Sequence, residues 1–270
     1  MLDIDTIRKD FPILEKKIRG KPLCYLDNGA SAQKPNVVIE TVKNGYEDEY
    51  ANVHRGLHFL SNLATEKFEA VRGKIQNFLG AKSENEIIFT SGSTEGINLV
   101  AYAWAQHNLR KNDEILLSLA EHHSNIVPWH FLREKIGVNL KWVEPQEDGS
   151  ISADDVINSI SDNTKLIAIT QMSNVLGSIV DVKKICTSAQ KKQITTLVDG
   201  SQSVVHMPVN VSEICCDFFV FTGHKLYGPS ACGALYINQN RFDEMQPFLG
   251  GGSMINFVGK ENVTFNNAPY

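Results

Sequence analysis

Short apolar segments alternate with longer amphipathic segments along most of the chain. The apolar segments are rich in β-branched and aromatic residues and end in small polar residues, which is typical of buried strands. The amphipathic segments repeat their apolar positions at helical spacing, and Gly80 and Gly137 follow two of them as helix stop signals. The pattern predicts strands at 86–90, at the start of 113–123, and at 138–145, 164–173, 194–203, 217–225 and 231–237. It predicts helices at 36–50, 60–80, 97–109, 126–137, 152–160 and 182–192.

This order of elements predicts an α/β fold with a mostly parallel, mixed central sheet and helices on both of its faces. In such sheets, ligands bind at the carboxyl ends of the strands. We therefore expect the polar strand exits to meet at one edge: Thr90–Thr94, Glu121–His123, Thr170–Asn174, Asp199–Gln202 and Thr222–Lys225. No internal repeat or linker is visible, and residues 256–270 end without a closing helix, so the chain is expected to stop within a fold.

Composition and charge restrict the class of protein. The 270 residues include 42% hydrophobic residues, which suits a globular domain with a substantial core. The net charge of −5 and the lack of a strongly basic stretch disfavour nucleic acid as a partner. No apolar run reaches the roughly 18 residues of a membrane span, and the acidic N-terminus does not resemble a secretory signal, so no membrane partner is expected.

The five cysteines are odd in number and show no CxxC spacing. This pattern indicates free thiols in a reducing compartment rather than disulfides or a metal site, so we expect a cytoplasmic protein without a bound metal. Cys215, Cys216 and Cys232 fall in strand-like runs and are predicted to lie in the core.

A candidate anion site lies in SGSTEGIN (91–98), which follows a strand and begins a helix. Small residues allow the backbone to approach a ligand closely, and the first helical turn offers free N–H groups to a phosphate. Ser93 and Thr94 would add hydroxyl donors. The alternative is an ordinary strand–helix turn capped by Ser or Thr, which this segment alone favours.

Two charged side chains at further strand exits form a candidate catalytic pair. Asp199, in DGSQS (199–203), would be a buried carboxylate and needs a cationic partner, for which a protonated heteroaromatic nitrogen would serve. Lys225, in FTGHKLYGP (221–229), would be partly desolvated, which lowers the pKa of a lysine and frees its amine for a Schiff base. The alternatives are a turn aspartate bonded to its own loop and an exposed loop lysine.

Two further segments contain histidines that are candidates for the site. EHHSNIVPW (121–129) brings His122 and His123 to a strand exit, where one imidazole can stack on a cofactor ring while the other handles protons. The alternative is simple packing at the entry to a helix. VHRGLHFLS (53–61) contains Arg55, which is suited to gripping a substrate carboxylate, although an ordinary surface loop also accounts for this segment.

Taken together, these groups are an anion cradle, a carboxylate for a ring nitrogen, a stacking imidazole and a Schiff-base lysine, which is the set that pyridoxal phosphate requires. Their order resembles the SufS-type (group II) cysteine desulfurase and selenocysteine lyase family of class V, fold-type I pyridoxal-phosphate enzymes. The motifs that carry the resemblance are YLDNGASAQKP, RGLHFLS, FTSGSTEGINLVA, AEHHSNIVPW, VDGSQSVVHMPV, FTGHKLYGP and FLGGGSMI.

The resemblance implies a role for each matching residue. Lys225 would bond covalently to the cofactor and later move the substrate's α-proton, and Asp199 would keep the pyridine nitrogen protonated. His122 would stack on the ring and take part in catalysis. The other cofactor contacts would come from Gln202, at the ring oxygen, and from the phosphate ligands Ser93, Thr94, Thr222 and His224. The substrate pocket would be lined by Asn174, His54, Arg55 and His123.

The implied reaction converts L-cysteine, or L-selenocysteine, to L-alanine and transfers the sulfur to an enzyme cysteine as a persulfide. It would serve iron–sulfur cluster assembly or selenium metabolism, in a homodimer that passes sulfur to an acceptor protein. Residues 1–20 would be a helical segment of the small domain, and residues 21–270 would be the large cofactor-binding domain.

The sequence departs from the family in one respect. Family members are commonly longer, and their nucleophilic cysteine lies in a motif that none of the five cysteines here matches. We therefore expect most of the small C-terminal domain to be missing and little desulfurase turnover from this chain by itself. Two alternatives stay open: another class V enzyme (an aminotransferase, an epimerase or a kynureninase-like enzyme), or a catalytically incomplete cofactor-binding or dimerisation fragment. A dinucleotide-dependent dehydrogenase is disfavoured because no GxGxxG follows the first strand.

Overall fold

A seven-stranded sheet organises the computed structural model, which describes residues 3–54 and 56–269. The strands of the described residues are Lys17–Ile18 (β1), Lys21–Pro22 (β2), Ile87–Thr90 (β3), Glu114–Ser118 (β4), Asn139–Val143 (β5), Thr164–Thr170 (β6), Thr195–Asp199 (β7), Phe218–Thr222 (β8), Gly233–Ile237 (β9), Ile255–Val258 (β10) and Val263–Phe265 (β11). The α-helices are Ile4–Lys9 (α1), Asn36–Glu47 (α2), Phe59–Leu79 (α3), Ser93–Leu99 (α4), Gln106–Asn108 (α5), Val127–Ile136 (α6), Ala153–Asn158 (α7), Val182–Lys191 (α8), Ser203–His206 (α9) and Val211–Ile214 (α10).

The central sheet is mixed. Its strand order is β3-β9-β8-β7-β6-β4-β5, and the five strands from β8 to β5 are parallel to their neighbours. Strand β9 runs antiparallel to both β8 and β3, so β3 points in the same direction as β8. Helices separate the parallel strands along the chain, because such strands need crossover connections. The predicted fold class, a mostly parallel mixed sheet, is confirmed.

Two hydrophobic cores lie on opposite faces of this sheet, because successive residues of a strand point to opposite sides. In β6, Ile167 and Ile169 belong to one core, which also contains residues of α8 and α10. Leu166 and Ala168 belong to the other core, which α4 and α6 close. Helices therefore cover both faces, as the sequence predicted. Burial on both faces also explains why these strands are continuous apolar runs in the sequence.

Helix ends follow the predicted stop signals closely. Gly80 ends α3 and Gly137 ends α6, and both glycines adopt the left-handed conformation. The helix predicted at 97–109 differs, because it begins at Ser93 and passes through a π-helical stretch at Val100–Ala105 before α5. Among the described residues, no helix has the length and apolar character needed to cross a bilayer.

The predicted core positions of the cysteines are only partly correct. Cys216 is buried, as predicted, but Cys215 is exposed because it ends α10 in a left-handed conformation (φ 60°) just before the buried strand begins. Cys232 is partly buried, since it lies in the turn before β9 rather than in the strand itself. All five thiols are free.

The first residues of the chain contact later segments at a few specific points. Phe11 lies against the ring of Tyr227, with centroids 5.9 Å apart, and the backbone N–H of Asn36 donates to the carbonyl of Asp10 (2.6 Å). The hairpin of β1 and β2 spans the predicted boundary between residues 20 and 21. The division into residues 1–20 and 21–270 stays a prediction.

A core substitution tests the two-faced packing. Ile167 is fully buried in β6, so Ile167→Ala should lower the free energy of unfolding by about 2–5 kcal/mol, since it leaves a cavity that the rigid sheet cannot close. Ile179 is 57% exposed, so Ile179→Ala serves as the matched control and should change the free energy of unfolding by no more than about 0.5 kcal/mol. Urea denaturation measures both values, and equal losses would contradict the burial described here.

Candidate active site

The polar segments that follow the strands leave the sheet at one edge, as predicted. Thr90 and Thr222, the last residues of β3 and β8, both pair with Gly233 of β9. Thr170 and Asp199, the last residues of β6 and β7, pair with each other. The carboxyl ends of these strands therefore form one row, and the candidate site lies along it.

A cavity of about 680 Å³ opens beside this row of strand ends. Lys225, Gln202 and Tyr227 lie on its wall, and the N-terminal segment supplies much of the remainder, including Cys24. The volume is in the range of pockets that hold small ligands and cofactors. Two of the predicted cofactor residues, Lys225 and Gln202, therefore face the same space.

Lys225 lies in a tight turn directly after β8. The backbone N–H groups of Leu226 and Gly228 both donate to the carbonyl of Gly223, which fixes the turn. Burial lowers the pKa of Lys225, and the negative charge of Asp199 partly opposes this effect. A larger fraction of the Lys225 amine is therefore neutral and nucleophilic at neutral pH than for an exposed lysine.

Asp199 is a buried carboxylate, only 5% exposed, at the end of β7. Its Oδ1 accepts hydrogen bonds from the backbone N–H (2.9 Å) and the hydroxyl (2.5 Å) of Ser201. The Ser201 hydroxyl also bonds to the hydroxyl of Ser93 (2.6 Å), at the start of α4. Asp199 thus combines the expected turn hydrogen bonds with a charge that acts on both Lys225 and His122.

Hydroxyl groups surround the start of α4. The Thr94 hydroxyl bonds to that of Ser124 (2.7 Å), and the Thr90 hydroxyl donates to the carbonyl of Gly92 (3.1 Å). Gly92 has a φ of 150°, and a Cβ atom there would lie 3.3 Å from Oγ1 of Thr222. This glycine therefore lets the turn approach Thr222 closely, and the structure brings three of the predicted phosphate ligands, Ser93, Thr94 and Thr222, to one place.

His122 joins this group through Ser124. Its Nδ1 accepts a hydrogen bond from the backbone N–H of Ser124 (3.1 Å) and lies 3.1 Å from the Ser124 hydroxyl. Partial burial and the positive charge of Lys225 lower the pKa of His122, so the ring is neutral at neutral pH. The ring of the neighbouring His123 has its centroid 6.0 Å away.

The N-terminal segment makes contacts that the sequence analysis did not anticipate. Gln202 donates its side-chain N–H to the carbonyl of Gly29 (2.7 Å), and the imidazole of His224 lies 3.2 Å from the Ser31 hydroxyl. The Lys34 ammonium donates to the carbonyls of Ala32 (2.6 Å) and His224 (2.8 Å). Gly29, Ser31 and Lys34 lie in the YLDNGASAQKP motif. No spacing rule in the sequence predicts that they contact Gln202 and His224, which are far away along the chain.

Of the four residues predicted to line the substrate pocket, the structure describes His54, Asn174 and His123, in different surroundings. The contacts described for His54 are with α3: its Nε2 lies 3.0 Å from a carboxylate oxygen of Glu69, and its ring meets Phe68 edge-on. Asn174 is exposed in the turn after β6, and Arg55 lies outside the described residues. The substrate-binding roles of His54, Arg55, Asn174 and His123 stay predictions.

Comparison with known proteins shows the family. Residues 24–270 match the sequence model of the aminotransferase class-V family, and the chain belongs to this family. It is 46% identical over 268 residues to a cysteine desulfurase of Escherichia coli O8 (strain IAI1), covering 99% of this chain and 66% of the relative. It is 45% identical over 271 residues to a cysteine desulfurase of Escherichia coli (strain K12), covering 100% of this chain and 67% of the relative.

Solved structures give the same result. The cysteine desulfurase CsdA from Escherichia coli, in an S-sulfonic acid form, matches with a TM-score of 0.88 and 34% identity, covering 100% of this chain and 66% of that one. The apo cysteine desulfurase of Thermococcus onnurineus NA1 matches with a TM-score of 0.92 and 36% identity, covering 100% and 65%. The resemblance drawn from the motifs is confirmed. The chain spans about two thirds of the length of the relatives it matches.

The charge relation between Lys225 and Asp199 can be tested directly. Asp199→Asn removes the negative charge that opposes the effect of burial, so the pKa of Lys225 should fall further. The pH dependence of Lys225 acetylation, followed by peptide mass spectrometry, measures this pKa. The exposed Asp243→Asn serves as the control and should leave it unchanged. An unchanged or higher Lys225 pKa in Asp199→Asn would contradict the arrangement.

Proposed function

We propose that the protein is a pyridoxal-phosphate-dependent cysteine desulfurase. The observation that carries the proposal is the joint placement of Lys225 and Asp199 at the exit edge of the sheet, where the charge of Asp199 acts on Lys225 and Lys225 lies on the wall of a cavity of cofactor size. The identity of about 45% to cysteine desulfurases supports the choice of reaction within the family.

The residues at the exit edge fit this cofactor. The donor set consists of one amine of lowered pKa, one buried carboxylate and several hydroxyls at the start of a helix, which match an aldehyde, a basic ring nitrogen and a phosphate respectively. The narrow turn at Gly92, which a Cβ atom would crowd against Thr222, brings the first turn of α4 close to the Thr222 hydroxyl, and the N–H groups of a first helical turn can bind a phosphate. Ser93, Thr94, Thr222 and His224 would hold the phosphate, and Gln202 the ring oxygen.

The mechanism follows from the properties of these side chains. When bound, pyridoxal phosphate supplies a carbonyl carbon that bonds to amines and an aromatic ring that withdraws electrons from the carbon next to the bound amine. Asp199 would hold the ring-nitrogen proton through Oδ, because a buried carboxylate favours a nearby positive charge. Lys225 would anchor the cofactor through Nζ and then move the α-proton of the substrate. His122 would cover the ring and, being neutral, could accept a proton at its free nitrogen.

The proposed reaction needs a thiol that accepts the sulfur atom removed from the substrate. L-cysteine gives L-alanine, and its sulfur atom is added to an acceptor thiol, which becomes a persulfide. Burial raises the pKa of Cys186 to about 12 and also raises that of Cys216, so both thiols stay protonated and are poor nucleophiles. Exposed Cys24 lies on the cavity wall, but it does not match the family's nucleophile motif, so the acceptor thiol of the proposed reaction is not one of these five cysteines. L-selenocysteine as a substrate, a homodimer, a separate sulfur acceptor and a cytoplasmic role in iron–sulfur or selenium metabolism remain parts of this proposal.

A second candidate function is amino-group transfer, which the family model's own description favours. The two reactions share the cofactor chemistry and differ in products. A desulfurase releases alanine and transferable sulfur from cysteine alone, whereas an aminotransferase needs a keto acid and yields its amino acid.

Cofactor attachment is the first test. Incubation with pyridoxal phosphate followed by borohydride reduction should place a stable label on Lys225, identified by peptide mass spectrometry. Lys225→Ala should lose this label, whereas Lys192→Ala, at an exposed position, should keep it. Labelling of a different lysine in the folded protein would refute the proposed role of Lys225.

Reaction type is the second test. With L-cysteine and a thiol reductant that serves as the sulfur acceptor, the protein carrying bound cofactor should form equal amounts of alanine and sulfide, but slowly, because none of its cysteines matches the family's nucleophile motif. Asp199→Ala should slow this residual reaction by roughly a hundredfold or more because the charge that stabilises the reaction is lost. Amino transfer to a keto acid without sulfide release would favour the second candidate instead.

A further inference from the structure

One buried acid beside the site has no role in the reaction described above. Glu121 follows the exit of β4 and is only 7% exposed, although its neighbour His122 is exposed. An acid buried to this extent needs hydrogen-bond partners to offset the loss of water.

Hydrogen bonds hold both oxygens of the Glu121 carboxyl group. Oε1 accepts from the hydroxyl of Ser118 (2.5 Å), and Oε2 accepts from the side-chain N–H of Asn125 (2.7 Å). The backbone of Thr170, at the end of β6, contributes another hydrogen bond. Asn125 is fully buried and in turn accepts from the indole N–H of Trp129 (3.1 Å), in the interior of the second core.

The residues that make these bonds lie on either side of the two histidines in the sequence. Glu121 and Asn125 bond to each other from opposite ends of the segment that contains His122 and His123. One end of the segment is thereby tied to the last residues of β4 and β6, and the other end is tied through Trp129 to α6. The segment from Glu121 to Asn125 is therefore fixed at both ends by buried hydrogen bonds, while its two histidine side chains remain exposed.

We propose that Glu121 is a positioning residue that holds His122 in place beside Lys225 and Asp199. The consequence for cofactor binding rests on the proposed function, but the effect on His122 does not. The donors that hold the Glu121 carboxyl, the Ser118 hydroxyl and the Asn125 amide, are both neutral. Burial, with the charge of Asp199 adding to it, raises the pKa of Glu121 to about 7.

Histidine NMR of the cofactor-free protein tests the positioning directly. In the wild type the pKa of His122 is lowered by burial and by Lys225. In Glu121→Ala the loop loses its anchor, so the pKa of His122 should rise toward the ordinary value. His224, whose pKa is also lowered by burial, is the internal control and should not change, since it is held by the N-terminal segment. His122→Asn assigns the signal.

Conservative variants separate positioning from general damage. Glu121→Gln can still accept from Asn125 and donate to Ser118, so it should restore the His122 pKa to near the wild-type value. Ser118→Ala removes one donor to Glu121, so it should shift the pKa of His122 in the same direction as Glu121→Ala but by less. This variant provides a readout if Glu121→Ala does not fold. The exposed Glu134→Gln is the matched control and should behave as wild type.

Cofactor affinity provides the second readout. Pyridoxal phosphate binding, followed by visible absorbance, should weaken about tenfold or more in Glu121→Ala and less than about threefold in Glu121→Gln, as expected for one or two lost hydrogen bonds. An unchanged His122 pKa in folded Glu121→Ala, or an equal shift of His224, would overturn the positioning role. Failure of the wild type to bind the cofactor, with the His122 shift still observed, would refute the proposed function alone.

Discussion

A partly buried amine and a buried carboxylate, Lys225 and Asp199, share the exit edge of the sheet, and their opposing effects set the chemistry of the site. Burial lowers the pKa of the Lys225 amine, whereas the charge of Asp199 partly opposes this effect. The pair exists because β7 and β8 are adjacent parallel strands that end at the same edge. The Ser201 N–H and hydroxyl bonds fix the carboxylate, so it cannot simply rotate toward solvent.

The rest of the molecule holds this pair in place from two sides. From the sheet side, packed strands buried on both faces keep their ends in register, which makes the exit edge rigid. From the other side, the segment around Ser31 and Lys34 bonds to His224, the residue before Lys225, and Gly29 bonds to Gln202. The N-terminal segment therefore forms part of the cavity wall and also restrains the loop that carries the amine.

Much of the site could be predicted because strand exits are visible in the sequence. The apolar runs that end at Thr170, Asp199 and Thr222 mark the strands, and a parallel sheet places their ends together whatever the details of packing. The contacts that complete the site could not be predicted in this way. The hydroxyl bond between Ser93 and Ser201 and the reach of Lys34 to His224 join residues far apart along the chain, and no local pattern specifies which side chains meet.

The incorrect prediction for Cys215 has a similar origin. Cys215 lies just before an apolar run, yet it is exposed, because a short helix ends there in a left-handed conformation that the residue type does not predict. His54 was predicted from its place beside the RGLHFLS motif, and its described contacts are with Glu69 and Phe68 of α3, so its role in substrate binding stays a prediction. Periodicity predicts which face of an element is buried, but it does not predict where a loop side chain points once the loop has left the sheet.

The central claim is that Asp199 stabilises a positive charge beside Lys225, and nitrogen NMR of the bound cofactor tests it most directly. With pyridoxal phosphate labelled at the ring nitrogen, the account predicts a protonated nitrogen at neutral pH in the wild type and loss of that proton in Asp199→Ala, at matched cofactor occupancy. An unprotonated nitrogen in the wild type, or the same protonated signal in both proteins, would contradict it.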